Sequence, residues 1–125
     1  MNKVELTGNI TRDMEVRELP NGKKNGRTSI AVRRNMKNKD GNYESDFIGI
    51  VAWDKKCEYL AQYAKKGAKV EIVGRMETGS YQDKDGKKVY TTDVVVEEAN
   101  ILTYPQNVDN SVDNSANVVT DKDLP

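Results

Sequence analysis

Phe47 and Trp53 are the only phenylalanine and the only tryptophan in 125 residues, and both fall in one short run, "SDFIGIVAW". In an extended strand, Phe47, Gly49, Val51 and Trp53 point one way, while Ile48, Ile50 and Ala52 point the other. A half-buried strand needs one apolar face. This one has two, and the second carries both aromatic rings with Gly49 clearing space between them. Cations crowd around it: Arg33, Arg34, Lys37 and Lys39 come before, and Lys55 and Lys56 follow. Aromatic faces for bases interleaved with cations for phosphates are what a single-stranded nucleic acid requires. An apolar face covered by a second subunit or by a helix has the same pattern, and the residues alone leave both readings open. Tyr81 lies at the parity of Val73 and Arg75, ahead of Lys84, Lys87 and Lys88. It is either a third stacking ring or an ordinary strand-end tyrosine.

Other chemistries find little to work with. The chain has no histidine and a single cysteine, Cys57, which excludes thiolate/imidazole zinc sites, histidine-based triads and an internal disulfide. Cys57 falls in an apolar stripe with no base nearby and reads as a packing residue. Asp83 and Asp85 could suggest magnesium and a nuclease, but Gly86 gives them a turn to build instead. GxGxxG and GxxxxGK[ST] motifs are absent. A non-enzymatic binder with no metal and no cofactor is expected.

The formal net charge is zero, but its distribution is not even. Residues 1–105 carry 19 Lys/Arg against 16 Asp/Glu, a net +3, and residues 106–125 carry Lys122 against four Asp, a net −3. From Arg12 to Lys39 nine basic residues stand against three acids, a net +6. A cationic half and an anionic end suggest a polyanionic partner and a separate role for the tail; a solvated surface of ordinary composition would look the same.

These side chains need elements to position them. "KVELTGNI" alternates, with Val4, Leu6, Gly8 and Ile10 inward. Pro20-Asn21-Gly22 is a turn, and "RTSIAVRR" alternates again with Thr28, Ile30 and Val32 inward. Asp40-Gly41 marks a hairpin before the third strand. The period then changes in "DKKCEYLAQYAKKG": Cys57, Leu60, Ala61 and Ala64 fall on one helical face, with Asp54 as N-cap and Gly67 as C′ residue. "KVEIVGRMETGSY" is a fourth strand with Val70, Ile72, Gly74 and Met76 inward. Asp85-Gly86 turns into a fifth, "VYTTDVVVEEANIL". One helix between the third and fourth of five strands is the layout of an OB-fold, an all-β Greek-key barrel. A domain over 1–104 and a flexible acidic tail over 105–125 are expected. No apolar run reaches membrane length, and Met1-Asn2-Lys3 leads directly into a strand. A cytoplasmic protein away from the membrane is expected.

Taken in order, "NKVELTGNITRDMEVRELPNG", "DFIGIVAW", "LAQYAKKGAKVEIVGRMETGSY" and "DGKKVYTTDVVVEEANIL" resemble bacterial-type single-stranded DNA-binding proteins from about Asn2 to Leu102. The short, diverged chain looks like a phage-encoded member, which would place it in the host cytoplasm. The resemblance implies an OB-fold, a homotetramer, and sequence-independent wrapping of single-stranded DNA in replication, recombination and repair. The family's stacking aromatics fall on Phe47, Trp53 and Tyr81. A fourth, usually aromatic position is Met36, which offers less area. Family-like cations are Lys3, Arg17, Lys37, Lys39, Lys55 and Lys66, beside the Arg33 already noted. Basic residues common before the last aromatic are replaced by Gly79 and Ser80 with Glu77 nearby, and Arg75 is the candidate to compensate. The alternative is an OB-fold adaptor, primosome-like, with the aromatic face at a subunit interface.

The family's chains end in a linker and several Asp followed by Leu/Ile-Pro-Phe, a tip that docks on replication and repair proteins. Asp121, Asp123, Leu124 and Pro125 match that tip, but Lys122 interrupts the acids and the terminal Phe is missing. The end is either a shortened partner-binding tip or an inert one.

Overall fold

The computed structural model describes residues 1–105. The tip at Asp121, Asp123, Leu124 and Pro125 lies outside the described residues. The elements run β1 (Val4–Ile10), β2 (Glu15–Glu18), β3 (Lys24–Lys37), β4 (Tyr43–Trp53), α1 (Asp54–Tyr63), β5 (Lys69–Gln82) and β6 (Lys88–Thr103). Five of the strands close on themselves in the order β1-β5-β6-β4-β3, with β3 returning to β1 through Asn9↔Ala31 and Ile10↔Ile30. All pairs are antiparallel except β4–β6, which is parallel at Ile50↔Val94 and Val51↔Val95. This is the expected OB-type barrel.

The sixth strand, β2, was not expected. Its four residues are all exposed, so it has no buried parity to read. It pairs with β3 from Glu15↔Arg27 to Glu18↔Lys24 and lies outside the closed barrel.

Closure depends on two glycines. A β-carbon at Gly8 would collide with the carbonyl of Ala31, where β1 meets β3, and one at Gly74 would collide with the carbonyl of Val95. Only a bare α-carbon lets the strands approach there. In β6, Val94 and Val96 face the core while Val95, between them, is buried on the outer face beside its partner Val51, so three consecutive valines are buried.

The core is made by the inward parity that the alternation predicts: Ile10, Ile30, Ile50, Val70, Ile72 and Val94, each at most 2% exposed. Helix α1 plugs one end with Cys57, Leu60 and Ala64. Burial holds the Cys57 thiol above its usual pKa, as a packing residue requires. Met76 is the exception among the expected inward residues: it is 46% exposed, because β5 has by then run past the barrel.

The helix ends also differ from expectation. Trp53 is the N-cap, and Asp54 opens the helix with φ of 50° and no capping bond. Its Oδ1 instead accepts the Lys24 amide at 3.1 Å, tying the helix start to β3. The helix stops at Ala64, and Gly67 sits three residues further on at φ of 92°, turning the chain into β5 while its amide donates to the Ile10 carbonyl.

Three hairpins share one turn. In Leu19–Lys23, Asn38–Asn42 and Asp83–Lys87, Gly22, Gly41 and Gly86 each adopt φ of 80–87° and donate to the carbonyl three residues back. This is a three-residue loop ending in a left-handed residue. Asn38 Oδ1 accepts the amides of Asp40 and Asn42 at 2.9 and 3.0 Å, and Asp83 Oδ1 accepts those of Asp85 and Lys87, both at 2.9 Å. The Asp83 carboxylate therefore serves the turn.

Candidate nucleic-acid interface

Register places the candidate residues in rows on the outer face of β2-β3-β4-β6-β5, because paired residues point the same way. Arg17, Asn25 and Trp53 form one row. The next runs Glu15, Arg27, Val51, Val95, Arg75 across all five strands. Beyond it lie Gly49 on β4 and the pair Asp93↔Glu77, then Ala31 with Phe47, and then Arg33 with Ser45. Tyr81, opposite Val89, holds the same parity on the β5–β6 hairpin.

The aromatic rings are open. Phe47 is 72% exposed, Tyr81 57% and Trp53 38%. Among the described residues α1 leaves Phe47 open: it packs at the barrel end, against β2, β3, β4 and β6. The covered-by-helix reading of this face is therefore wrong for Phe47. Val51, on the same face, is buried by contrast. Arg27 stands beside it and reaches across β4, about 10 Å at two strand spacings, to place Nη1 3.0 Å from Asp93 Oδ2.

Most of the expected cations reach this face or its edges. Asn2 brackets the Met76 backbone at 2.8 Å on both amide and carbonyl, which sets Lys3 opposite Arg75 between that anchor and the pair Val4↔Gly74. Arg33 lies 4.5 Å over the ring of Tyr43, and Lys37 lies 5.7 Å from the same ring. Lys39 occupies the exposed loop of that hairpin, and Lys55 the first turn of α1, two residues after Trp53. Met36, 81% exposed, projects from the bulged stretch of β3 between Arg33 and Lys37. Two cations fall elsewhere. Lys66 sits in the loop after α1, with its amide bonded to Asp13 at 2.8 Å. Arg34 turns to the opposite side of the hairpin, where Asp46 at 2.8 Å and Glu44 at 3.8 Å hold it. The Arg34 hydrogen bonds hold the Asp46 carboxyl below the usual carboxylate range and raise the Arg34 pKa.

The model of the single-strand binding protein family matches residues 1–102. The chain belongs to that family. A single-stranded DNA-binding protein 1 of Streptococcus agalactiae serotype III is 45% identical over 102 residues, 82% of this chain and 63% of that protein. The chain thus spans less than two thirds of that relative's length. A single-stranded DNA-binding protein 3 of Streptococcus agalactiae serotype V is 38% identical over 136 residues, covering all of this chain and 99% of that one. A single-stranded DNA-binding protein of Oceanobacillus iheyensis is 43% identical over 102 residues, 82% of this chain and 68% of that protein.

For this member of the single-strand binding protein family, sequence reasoning missed three residues on the face. Tyr43 shares the odd parity of Phe47 and Trp53 and is 45% exposed; extending the alternation two residues back into the hairpin finds it. Arg27 is one of the nine basic residues between Arg12 and Lys39, and nothing in its sequence surroundings marks it as an occupant of the face. Asp93 was missed because nothing in "TTDVVV" distinguishes an outward carboxylate from a solvated one. Tyr90, 75% exposed with Lys88 5.4 Å from its ring, was also missed, but it pairs with Ser80 and so lies opposite to Tyr81 on its hairpin. Gly49 needs correcting too. The space it leaves is taken by Asp93, whose Oδ1 would stand 2.7 Å from a β-carbon at position 49.

Proposed function

We propose that this chain binds single-stranded DNA without regard to base sequence and without catalysis, metal or cofactor. The observation that carries the reading is the open sheet face on which Phe47, Trp53 and Tyr81 share one side with Arg17, Arg33, Arg75 and Lys3. Bases stack on the rings, while phosphates pair with cations at the margins, including Lys37, Lys39 and Lys55. Met36 adds apolar contact on one hairpin, and Lys66 serves only a strand that continues past α1. The relatives named as single-stranded DNA-binding proteins support the same reading.

The proposed setting is replication, recombination and repair in the cytoplasm, with the domain, residues 1–104, assembled as a homotetramer. The segment 105–125 recruits replication or recombination proteins through Asp121, Asp123, Leu124 and Pro125. A pull-down with and without residues 119–125 tests the last point, and identical partner sets would make the tip inert.

Titrating Trp53 fluorescence with oligo-dT at rising salt tests the central reading. Quenching that weakens steeply with salt is expected; unquenched, salt-insensitive fluorescence would sink it. The double substitution Phe47→Ala/Trp53→Ala, followed by anisotropy of a labelled strand, separates DNA binding from the adaptor alternative. Lost DNA affinity with assembly intact supports binding; dissociated subunits support the adaptor.

A further inference from the structure

Two carboxylates sit in the middle of the proposed DNA face. Asp93 on β6 lies opposite Glu77 on β5, so two carboxylates share the row between Trp53 and Phe47. Each is matched by an arginine one row away: Arg27 to Asp93 and Arg75 to Glu77, both at 3.0 Å. By contrast, no carboxylate among the described residues pairs with Lys37, Lys39 or Lys55, the cations at the margins. Asp93 is the more enclosed of the two acids, its side chain 22% exposed against 55% for Glu77. Its position needs Gly49, since any side chain at position 49 would meet its Oδ1.

We propose that Asp93 is an affinity-limiting residue of the binding face: its carboxylate occupies Arg27 and keeps phosphate out of the space over Gly49. This inference depends on the reading that single-stranded DNA lies on this face. A guanidinium already paired releases no condensed counterion from DNA, because a phosphate reaching it must displace Asp93 and leave that carboxylate bare. Arg27 is therefore silent in the salt dependence of wild-type binding, and the strand is held by rings and by the cations at the edges. The consequence is a grip loose enough at its centre for the strand to leave, with Asp93 setting how loose.

The test is the affinity of the full chain for oligo-dT across a salt series, by anisotropy of a labelled strand, for wild type, Asp93→Asn and Arg27→Gln/Asp93→Asn. Asp93→Asn keeps the shape and removes the charge. It is expected to bind about 3- to 10-fold more tightly at low salt, with the slope of log K against log salt steeper by roughly 0.7 to 0.9, one additional phosphate contact. The double variant is expected to return to the wild-type slope. Asp93→Ser replaces Asp93→Asn if thermal melting shows the latter unfolded. Unchanged or weaker affinity with an unchanged slope overturns the proposal, as does a double variant as steep as Asp93→Asn. Wild-type protein that fails to bind at any salt overturns the parent reading instead, so the two failures are distinguishable.

Discussion

Phe47 is 72% exposed among the described residues, an exposure that brings the fold no benefit. Stacking gives it one. Phe47→Ala should cost about 1–3 kcal/mol of DNA affinity with little change in thermal stability, read by fluorescence titration and by melting. Tyr43 presents a different case, because Arg33 already covers its ring at 4.5 Å. A base arriving there must share the ring or displace the guanidinium, so Tyr43→Ala should cost less than Phe47→Ala in the same titration. Asp46 makes a pH prediction. Its folded-state pKa is depressed, chiefly by the Arg34 hydrogen bonds, so its contribution to hairpin order is complete above the ordinary carboxylate range. That contribution is lost as pH falls through the lowered value. A carboxyl chemical-shift titration should show a midpoint below that of a free Asp, and Arg34→Gln should move it back up.

At the scale of elements, the two long hairpins carry the site out beyond the barrel. Each ends in a glycine with nothing within 4 Å and φ near 80°, Gly41 in one and Gly86 in the other. Space is not what those positions need; a left-handed backbone is. Gly41→Ala should therefore cost on the order of 1–2 kcal/mol, and loosening the loop should weaken DNA binding through Lys37, Lys39 and Tyr43. Gly74 is the opposite case, since its φ is ordinary and the obstacle is the Val95 carbonyl. Gly74→Ala should lower the urea midpoint by the equivalent of about 1–3 kcal/mol, with the denaturant slope unchanged. Both substitutions then lower stability, but the hairpin change carries a loss of DNA affinity that the barrel change lacks.

At the scale of the molecule, the +3 of residues 1–105 is not spread evenly over the DNA face. Arg27 and Arg75 are each neutralised by a neighbour, and the net attraction comes from the lysines and from Arg17 and Arg33 around the edges. The salt slope of the wild-type chain should accordingly fall short of the slope that counting every basic residue on the face would give. Light scattering of the full chain, with and without oligo-dT, should report a tetramer at both steps; a monomer would remove the assembly proposed above.

The barrel's inward residues are legible in the local pattern of the chain. Alternation in "KVELTGNI", "RTSIAVRR" and "KVEIVG" selects the inward residues, because a strand's side chains can face only two ways and one way must be dry. The single change of period to a helix at "CEYLAQYA" was equally local. Parity also sets Phe47 and Trp53 on one side of β4 and Tyr81 on the outward side of β5. What local pattern cannot carry is which strands become neighbours. The exposed β2 had no buried parity to betray it, and Asp54 looked like a cap until the Lys24 amide, thirty residues away, was seen to claim it. The same holds for the centre of the site. Arg27 and Asp93 are 66 residues apart, and only the parallel pairing of β4 with β6 sets them on either side of Gly49. Tertiary structure alone decided that the space between the two rings holds a carboxylate, because an ion pair across three strands leaves no periodic trace in any one of them.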